Sequence, residues 1–218
     1  MTTSLDTLLA RGLAAQGLEC DQSIQRKLIA FVDLLKKWNK VYNLTAITDP
    51  QQSLIRHILD SLSVVRFIQG PAVLDVGAGA GLPGLPLALC LPSLQFVECE
   101  SSSKKTRFIQ QAIIDLGLTN VGVEACRVEE LWQHHLPESV TQYDSIISRA
   151  FSSIADMISK AGPLCREGGK ILAMKGQVPE QELTQIPVAF RVQAVEKLEV
   201  YGLNEQRTLV ILSKQASV

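Results

Sequence analysis

No apolar run in this 218-residue chain approaches the ~20 residues that cross a bilayer. No basic segment followed by an apolar one stands at the N-terminus, where an export signal would lie. A cytoplasmic protein with no membrane partner is therefore expected. The five cysteines (Cys20, Cys90, Cys99, Cys126 and Cys165) are scattered and form no C-x-x-C spacing. A metal site is not expected, and most of these thiols read as small buried apolar groups in a reducing compartment. There is no excess of either charge: 21 basic residues face 22 acidic ones. A global basic footprint for nucleic acid is thus missing, and any such contact must use a local patch. Repeats and low-complexity tracts are absent too. With 46% hydrophobic residues, the chain has enough apolar side chain for a full core, which excludes a disordered protein.

What is present centres on residues 73–84. A short apolar run, Val73-Leu74-Asp75-Val76, ends beside an acid, and Gly77, Gly79, Gly81 and Gly84 follow. The run reads as a buried strand. Glycines without a Cβ let the next turn fold tightly and approach a ligand closely. Pro83 and Pro86 suit the first turn of a helix, where a missing N–H costs nothing. Strand, tight loop and helix N-terminus in this order hold a nucleotide-like ligand at the carboxyl end of a parallel sheet.

Residues 1–70 read as helical. Leu5, Leu8, Leu9 and Leu13 mark a first helix. Ile24, Leu28, Phe31, Leu35 and Trp38 mark a second, with an Asn cap and core-packed aromatics at its end. A third starts at Asp49-Pro50, where Gln52 is placed to complete a capping box. Leu54, Ile58, Leu62, Val65 and Ile68 would form its inner face. His57, one turn from Asp60, reads as a structural histidine, with a role as a base left open.

From residue 71 strands alternate with helices, as in a parallel α/β sheet. Strands are expected at 72–76, 95–99, 121–125, 144–147 and 170–174. Helices are expected at 83–91, 102–117, from about 129, and at 152–162. Gly168-Gly169 reads as the turn into the fifth strand. Residues 192–201 and 208–213 then read as two strands of a hairpin. The expected fold is α/β: a class I (Rossmann-like) methyltransferase sheet with a C-terminal antiparallel hairpin strand and an N-terminal helical extension. Residues 1–70 would pack on a domain at 71–218 as one unit.

Strand tips suggest the site. Asp75 would stand in the loop mouth and hold a ligand's amino group, with Gly79 beside it. Glu100, at the second tip, is placed to accept hydrogen bonds from ribose hydroxyls; its plainer role is as neighbour to a helix cap. Val128 and Glu129 follow the third strand, where an adenine ring would lie. Arg149 follows the fourth, aimed at a methionine carboxylate or an acceptor's phosphate, and Lys175 follows the fifth. Gly79 to Gly84 also fits G-x-G-x-x-G, a signal shared by NAD and S-adenosylmethionine sites. No Asn/Asp-Pro-Pro-aromatic motif serves an exocyclic amine, and no Pro-Cys pair offers a nucleophile. An acceptor that is already nucleophilic, such as guanine N7, fits what remains, because catalysis then reduces to placement.

Five stretches, Lys37 to Thr45, Arg56 to Leu62, Asp75 to Gly84, Ser148 to Phe151 and Lys175 to Gln177, resemble the RsmG (GidB) family of bacterial 16S rRNA guanine-N7 methyltransferases. The resemblance implies S-adenosyl-L-methionine as cofactor and 16S rRNA or the small ribosomal subunit as partner, with a monomer the expected state. It implies Gly77, Leu82, Val128, Glu129 and Arg149 as cofactor contacts, and Arg149 with Lys175 as positioning groups in catalysis. Ala78 stands where family members often carry Ser or Thr. RNA binding would gather Lys36, Lys37, Lys40, Arg56, Lys104, Lys105, Arg149 and Lys175 around the mouth. A methyltransferase for a small molecule or protein, and an NAD-binding oxidoreductase, stay open as alternatives.

Overall fold

The computed structural model describes residues 3–133, 141–149, 151 and 153–216. Ala150 and Ser152, in the stretch after the fourth strand, lie outside them. Local chemistry sets most element ends. The first helix, α1 (Leu5–Ala15), starts on Ser4, whose side chain accepts the Thr7 N–H. The second, α2 (Gln22–Tyr42), starts on Asp21, which accepts the Ile24 N–H at 2.8 Å. It ends on Asn43 at φ 51°, a left-handed cap that asparagine tolerates. Trp38 stacks on Tyr42 and meets the Phe108 ring edge-on, as expected of a core aromatic.

The third helical region departs from the simple 3.6 period. It begins as α3 (Pro50–Ser53), capped by Asp49, widens to a π-helix over Leu54–Leu59, and closes with α4 (Asp60–Leu62). The wider turn buries Leu54, Ile55, His57, Ile58 and Leu59 together, which a single stripe could not predict. The expected helix past residue 62 is instead a short 3₁₀ turn at Val65–Phe67. Gln52 does not close a capping box either; its side-chain Oε1 accepts from Arg56 Nε at 3.0 Å.

The strands are β1 (Ala72–Val76), β2 (Gln95–Cys99), β3 (Val121–Glu124), β4 (Tyr143–Ser148), β5 (Cys165–Lys175), β6 (Phe190–Lys197) and β7 (Thr208–Lys214). They form one sheet in the order β3-β2-β1-β4-β5-β7-β6. The first five run parallel, and β7 lies antiparallel between β5 and β6. Between them run α5 (Gly84–Cys90), α6 (Ser103–Leu116), α7 (Glu130–Gln133), α8 (Ile154–Ala161) and α9 (Glu180–Leu183). The expected turn at Gly168-Gly169 lies within β5, where the register against β4 shifts. The hairpin strand β6 stops at Lys197 rather than near residue 201. The helix α9 has only four residues, too few to carry a period in the sequence.

Strand parity sorts the core. Along β1, Leu74 and Val76 join the cluster that includes Met157 and Ile158 of α8, whereas Val73 packs with Leu87 and Ala88 of α5. The N-terminal helices share a third cluster with Ala78, Ala80 and Leu82 of the glycine-rich loop and with Phe108 of α6. Of the cysteines, only Cys99 and Cys165 are buried; Cys20, Cys90 and Cys126 are half-buried, and all five are free.

Candidate functional site

At the carboxyl ends of β1 and β2 opens a cavity of about 310 Å³. Val76, Gly77, Cys99, Glu100, Cys126, Val128, Glu129 and Phe151 contribute to its wall. Gly77 has φ +67° there, a backbone region that favours glycine, and its N–H donates to the Cys99 carbonyl at 2.9 Å. Glu100 is almost wholly enclosed and serves as a hub. One carboxylate oxygen accepts from Gly79 N–H at 2.9 Å, the other from Ser102 N–H at 2.8 Å. Its expected place at a strand tip and its plainer role beside a helix cap thus coexist. Lys105 Nζ stands 3.7 Å away. Glu129 is 3.8 Å from Lys160 Nζ, which also pairs with Asp156 at 3.1 Å.

Asp75 lies beneath the glycine-rich loop. Its side chain shares strand parity with Val73, facing α5, while the cavity opens on the α8 face with Val76 and Cys99. Its carboxylate is fully buried and accepts the Gly84 N–H at 2.8 Å. It pins the loop from beneath and does not reach the wall. Gly79 acts through its bond to Glu100. Leu82 is buried in the core, with its N–H on the Ala78 carbonyl. Neither Gly79 nor Leu82 lines the cavity.

Beneath the same loop lies a group that sequence reading missed. Glu98 sits directly opposite Asp75 in the parallel register and is also fully buried, its carboxyl set against that of Asp75. Burial pushes Asp75 up to about 7, against the pull of the Gly84 N–H. Burial and the neighbouring Asp75 charge push Glu98 well above the carboxylate range. A raised native pKa stabilises the fold below the unfolded value and loses that contribution as pH rises through the native value. The buried His57 is pushed down to about 4 by desolvation, then by the Arg149 charge, and contributes with the opposite slope. Comparison with Glu98→Gln cancels the histidine. Relative to that variant, the wild type is expected to lose on the order of 2 kcal/mol between pH 4 and 7, measured by urea unfolding. Parallel pH curves for the two proteins would rule out the buried acid pair as the cause.

A second cavity, of about 290 Å³, lies on the other side of the β4 tip. It is lined by Arg56, His57, Asp60, Arg149, Lys175 and Arg207 among others. Arg149 Nη1 donates to Asp60 Oδ2 at 3.0 Å and to the Arg56 carbonyl at 3.4 Å. Arg149 lines this cavity, and the wall of the first does not include it. Its partners come from the π-helical segment (Arg56) and the first residue of α4 (Asp60), so their proximity required the tertiary fold. Lys175 Nζ donates to the Phe151 carbonyl at 3.3 Å and meets Glu182 of α9 at 3.2 Å. His57 shares a hydrogen bond with Thr45 Oγ1 at 3.0 Å and sits neutral in the wall, as a structural histidine would. The expected ring of cations is only partly assembled. Arg56, Arg149 and Lys175 converge and Arg207 joins them, while Lys36, Lys37, Lys40, Lys104 and Lys105 line neither cavity.

The first cavity fits S-adenosylmethionine. A carboxylate stands at the second strand tip for a diol, Val76, Cys99 and Val128 offer apolar walls for an adenine ring, and Gly77 exposes backbone. Among the described residues, no group of three His, Cys, Asp or Glu could hold a metal ion. No helix of the described residues is long and apolar enough to cross a membrane.

Solved structures with the same fold include TrmN from Thermus thermophilus (TM-score 0.54, 20% identity, covering 71% of this chain and 47% of that one). They also include P. horikoshii TYW2 in complex with MeSAdo (TM-score 0.55, 14% identity, covering 74% and 63%). An O-methyltransferase dependent on S-adenosylmethionine, from Thermotoga maritima, is similar at TM-score 0.54 and 14% identity, covering 73% and 66%. Full-length relatives are closer. A protein of Neisseria meningitidis serogroup C named ribosomal RNA small subunit methyltransferase G is 45% identical over 95% of this chain and 97% of its own. One of the same name from Nitrosococcus oceani is 44% identical over 95% and 94%. The family described as GidB, rRNA small subunit methyltransferase G, matches residues 24–210. With relatives this similar along nearly its whole length and a sheet that carries the expected cavity, the chain belongs to the GidB family of small-subunit rRNA methyltransferases.

Proposed function

We infer that this protein transfers a methyl group from S-adenosyl-L-methionine to N7 of a guanine in 16S rRNA, as a cytoplasmic monomer whose helical extension and sheet act as one unit. The observation that carries the reading is the cavity at the β1 and β2 tips, with Gly77 and Glu100 in its wall, in a chain of this family. In this reading Glu100 accepts from the ribose hydroxyls, Val128 and Glu129 border the adenine, and Gly79, Leu82 and Asp75 hold the loop in shape. S-adenosylmethionine bound there supplies an electrophilic sulfonium methyl.

The rest is placement. Guanine N7 carries an available lone pair, so no proton has to be removed before attack. His57, its Nε2 engaged with Thr45 and its basicity lowered to a pKa of about 4, is a weak base, which suits a reaction that needs none. Phe151 lines the first cavity and Arg149 the second, so the short chain after β4 borders both. Arg149 and Lys175 then act on the acceptor side as positioning groups.

Methyl transfer from labelled cofactor to rRNA or small subunits of a strain lacking the enzyme, followed by nucleoside analysis, tests the reading. Labelled 7-methylguanosine is expected; another nucleoside, or label on protein, would overturn it. Stabilisation by S-adenosylhomocysteine but not by NAD removes the oxidoreductase alternative. Glu100→Ala is expected to weaken S-adenosylhomocysteine binding by about 1–3 kcal/mol through lost charge-assisted hydrogen bonds. Unchanged affinity in calorimetry would refute its ribose role.

A further inference from the structure

Asp60 divides its carboxylate between two guanidiniums. Oδ2 accepts from Arg149 Nη1 at 3.0 Å and Oδ1 from Arg207 Nε at 2.9 Å. Asp60 is 3% exposed, so it is a fixed buried anchor that aims both arginines into the second cavity. A second carboxylate, Glu205, lies on the chain joining β6 and β7. It meets Arg56 Nη2 at 2.7 Å and Arg207 Nη2 at 3.3 Å, with its side chain 50% exposed. The Arg56 hydrogen bond holds it below the usual carboxylate range, so it is an anion at neutral pH. One acid in this cluster is built in; the other is a solvent-facing anion bridging two arginines. Planar forks arranged around one anion are how arginine pairs seat a phosphate.

We propose that a phosphodiester of the RNA acceptor binds between Arg56 and Arg207, in the place that the Glu205 carboxylate takes in this structure. The proposal rests on the rRNA reading above and adds where the acceptor's backbone is gripped. Charge supports it. Arg56, Arg149 and Arg207 face Asp60 and Glu205, leaving one positive charge; once Glu205 swings out, two remain to meet the phosphate. Position supports it as well, because Arg149 in this cavity is two residues from Phe151 on the wall of the first. A phosphate contact carries no sequence information, so the seat fixes the register of the RNA while other contacts choose the base. Glu205 then acts as an exchangeable counter-ion that keeps the arginines extended until RNA arrives.

The test uses the full chain with unmodified 16S rRNA and unmodified small subunits as probes, binding being measured across a KCl series. Glu205→Gln removes the competing anion and is expected to bind about 3–10-fold tighter at low salt. Arg56→Gln is expected to bind about tenfold weaker, with the salt slope reduced by about 0.7–0.9. Both variants should keep wild-type affinity for S-adenosylhomocysteine, which reports an intact fold. Binding by Glu205→Gln that is unchanged or weaker, or an unaltered salt slope for Arg56→Gln, would overturn the phosphate seat. Failure of the wild type to bind either probe would overturn the rRNA reading beneath it, a result distinct from the other two.

Discussion

Gly84→Ala is expected to be the most destabilising single methyl addition in the glycine-rich segment, at about 3 kcal/mol, the upper end of over-packing costs. Gly84 is not in a left-handed conformation, so the reason is space. A Cβ built there would overlap the Glu98 carboxyl, which is fully buried and cannot move into solvent. The same residue's N–H is held by Asp75, so the backbone cannot retreat without breaking a buried hydrogen bond. The loop that carries Gly77 and Gly79 is anchored at this point, and cofactor affinity should fall with stability. The mechanism is checked by a double-mutant cycle in urea. In a Glu98→Ala background the Gly84→Ala loss should shrink by at least half, because the clashing carboxyl is gone. Simple additivity of the two changes would show that Glu98 is not what requires glycine at this position.

Arg149→Ala is expected to reduce methyl transfer by at least about 100-fold, roughly 2.7 kcal/mol of transition-state placement. Arg149 reaches the second cavity from the chain that also borders the first, and its plane is set by Asp60. Loss of stability should be small, because Asp60 keeps Arg207 at 2.9 Å and is not left as an unpaired buried charge. Affinity for S-adenosylhomocysteine should stay within about threefold of wild type, since the arginine does not line that wall. A large fall in cofactor affinity would return Arg149 to the methionine end of the donor. Transfer within threefold of wild type would remove it from the machinery altogether.

Much of this was readable residue by residue. The glycine spacing after β1, the cap at Asp49, the asparagine at the end of α2 and the period of each central strand are local signals. Each was expressed because nothing distant opposes it. Asp75 shows where local signals stop. Its parity with Val73 is plain from the sequence, but which face of the sheet opens into a cavity depends on how α5 and α8 pack. Glu98 is hidden in the sequence for a related reason: an acid inside an apolar strand looks like an alternation error until its register partner is known to be Asp75. The π-helical segment escaped because the 3.6 period assumes that one stripe is buried, whereas here five of the six residues turn inward.

Strand period, glycine placement and capping chemistry were enough to define an α/β sheet with a nucleotide loop after its first strand, because those preferences act over a few residues. The grouping of Arg56, Asp60, Arg149, Glu205 and Arg207 could not be read that way. Asp60 and Arg207 stand 147 positions apart in the chain yet meet in one ion pair. Contacts at such separation arise only when the whole sheet has closed and the β6–β7 connection has been laid against the π-helical segment. Charge pairing acts through space, and the sequence orders residues only along the chain.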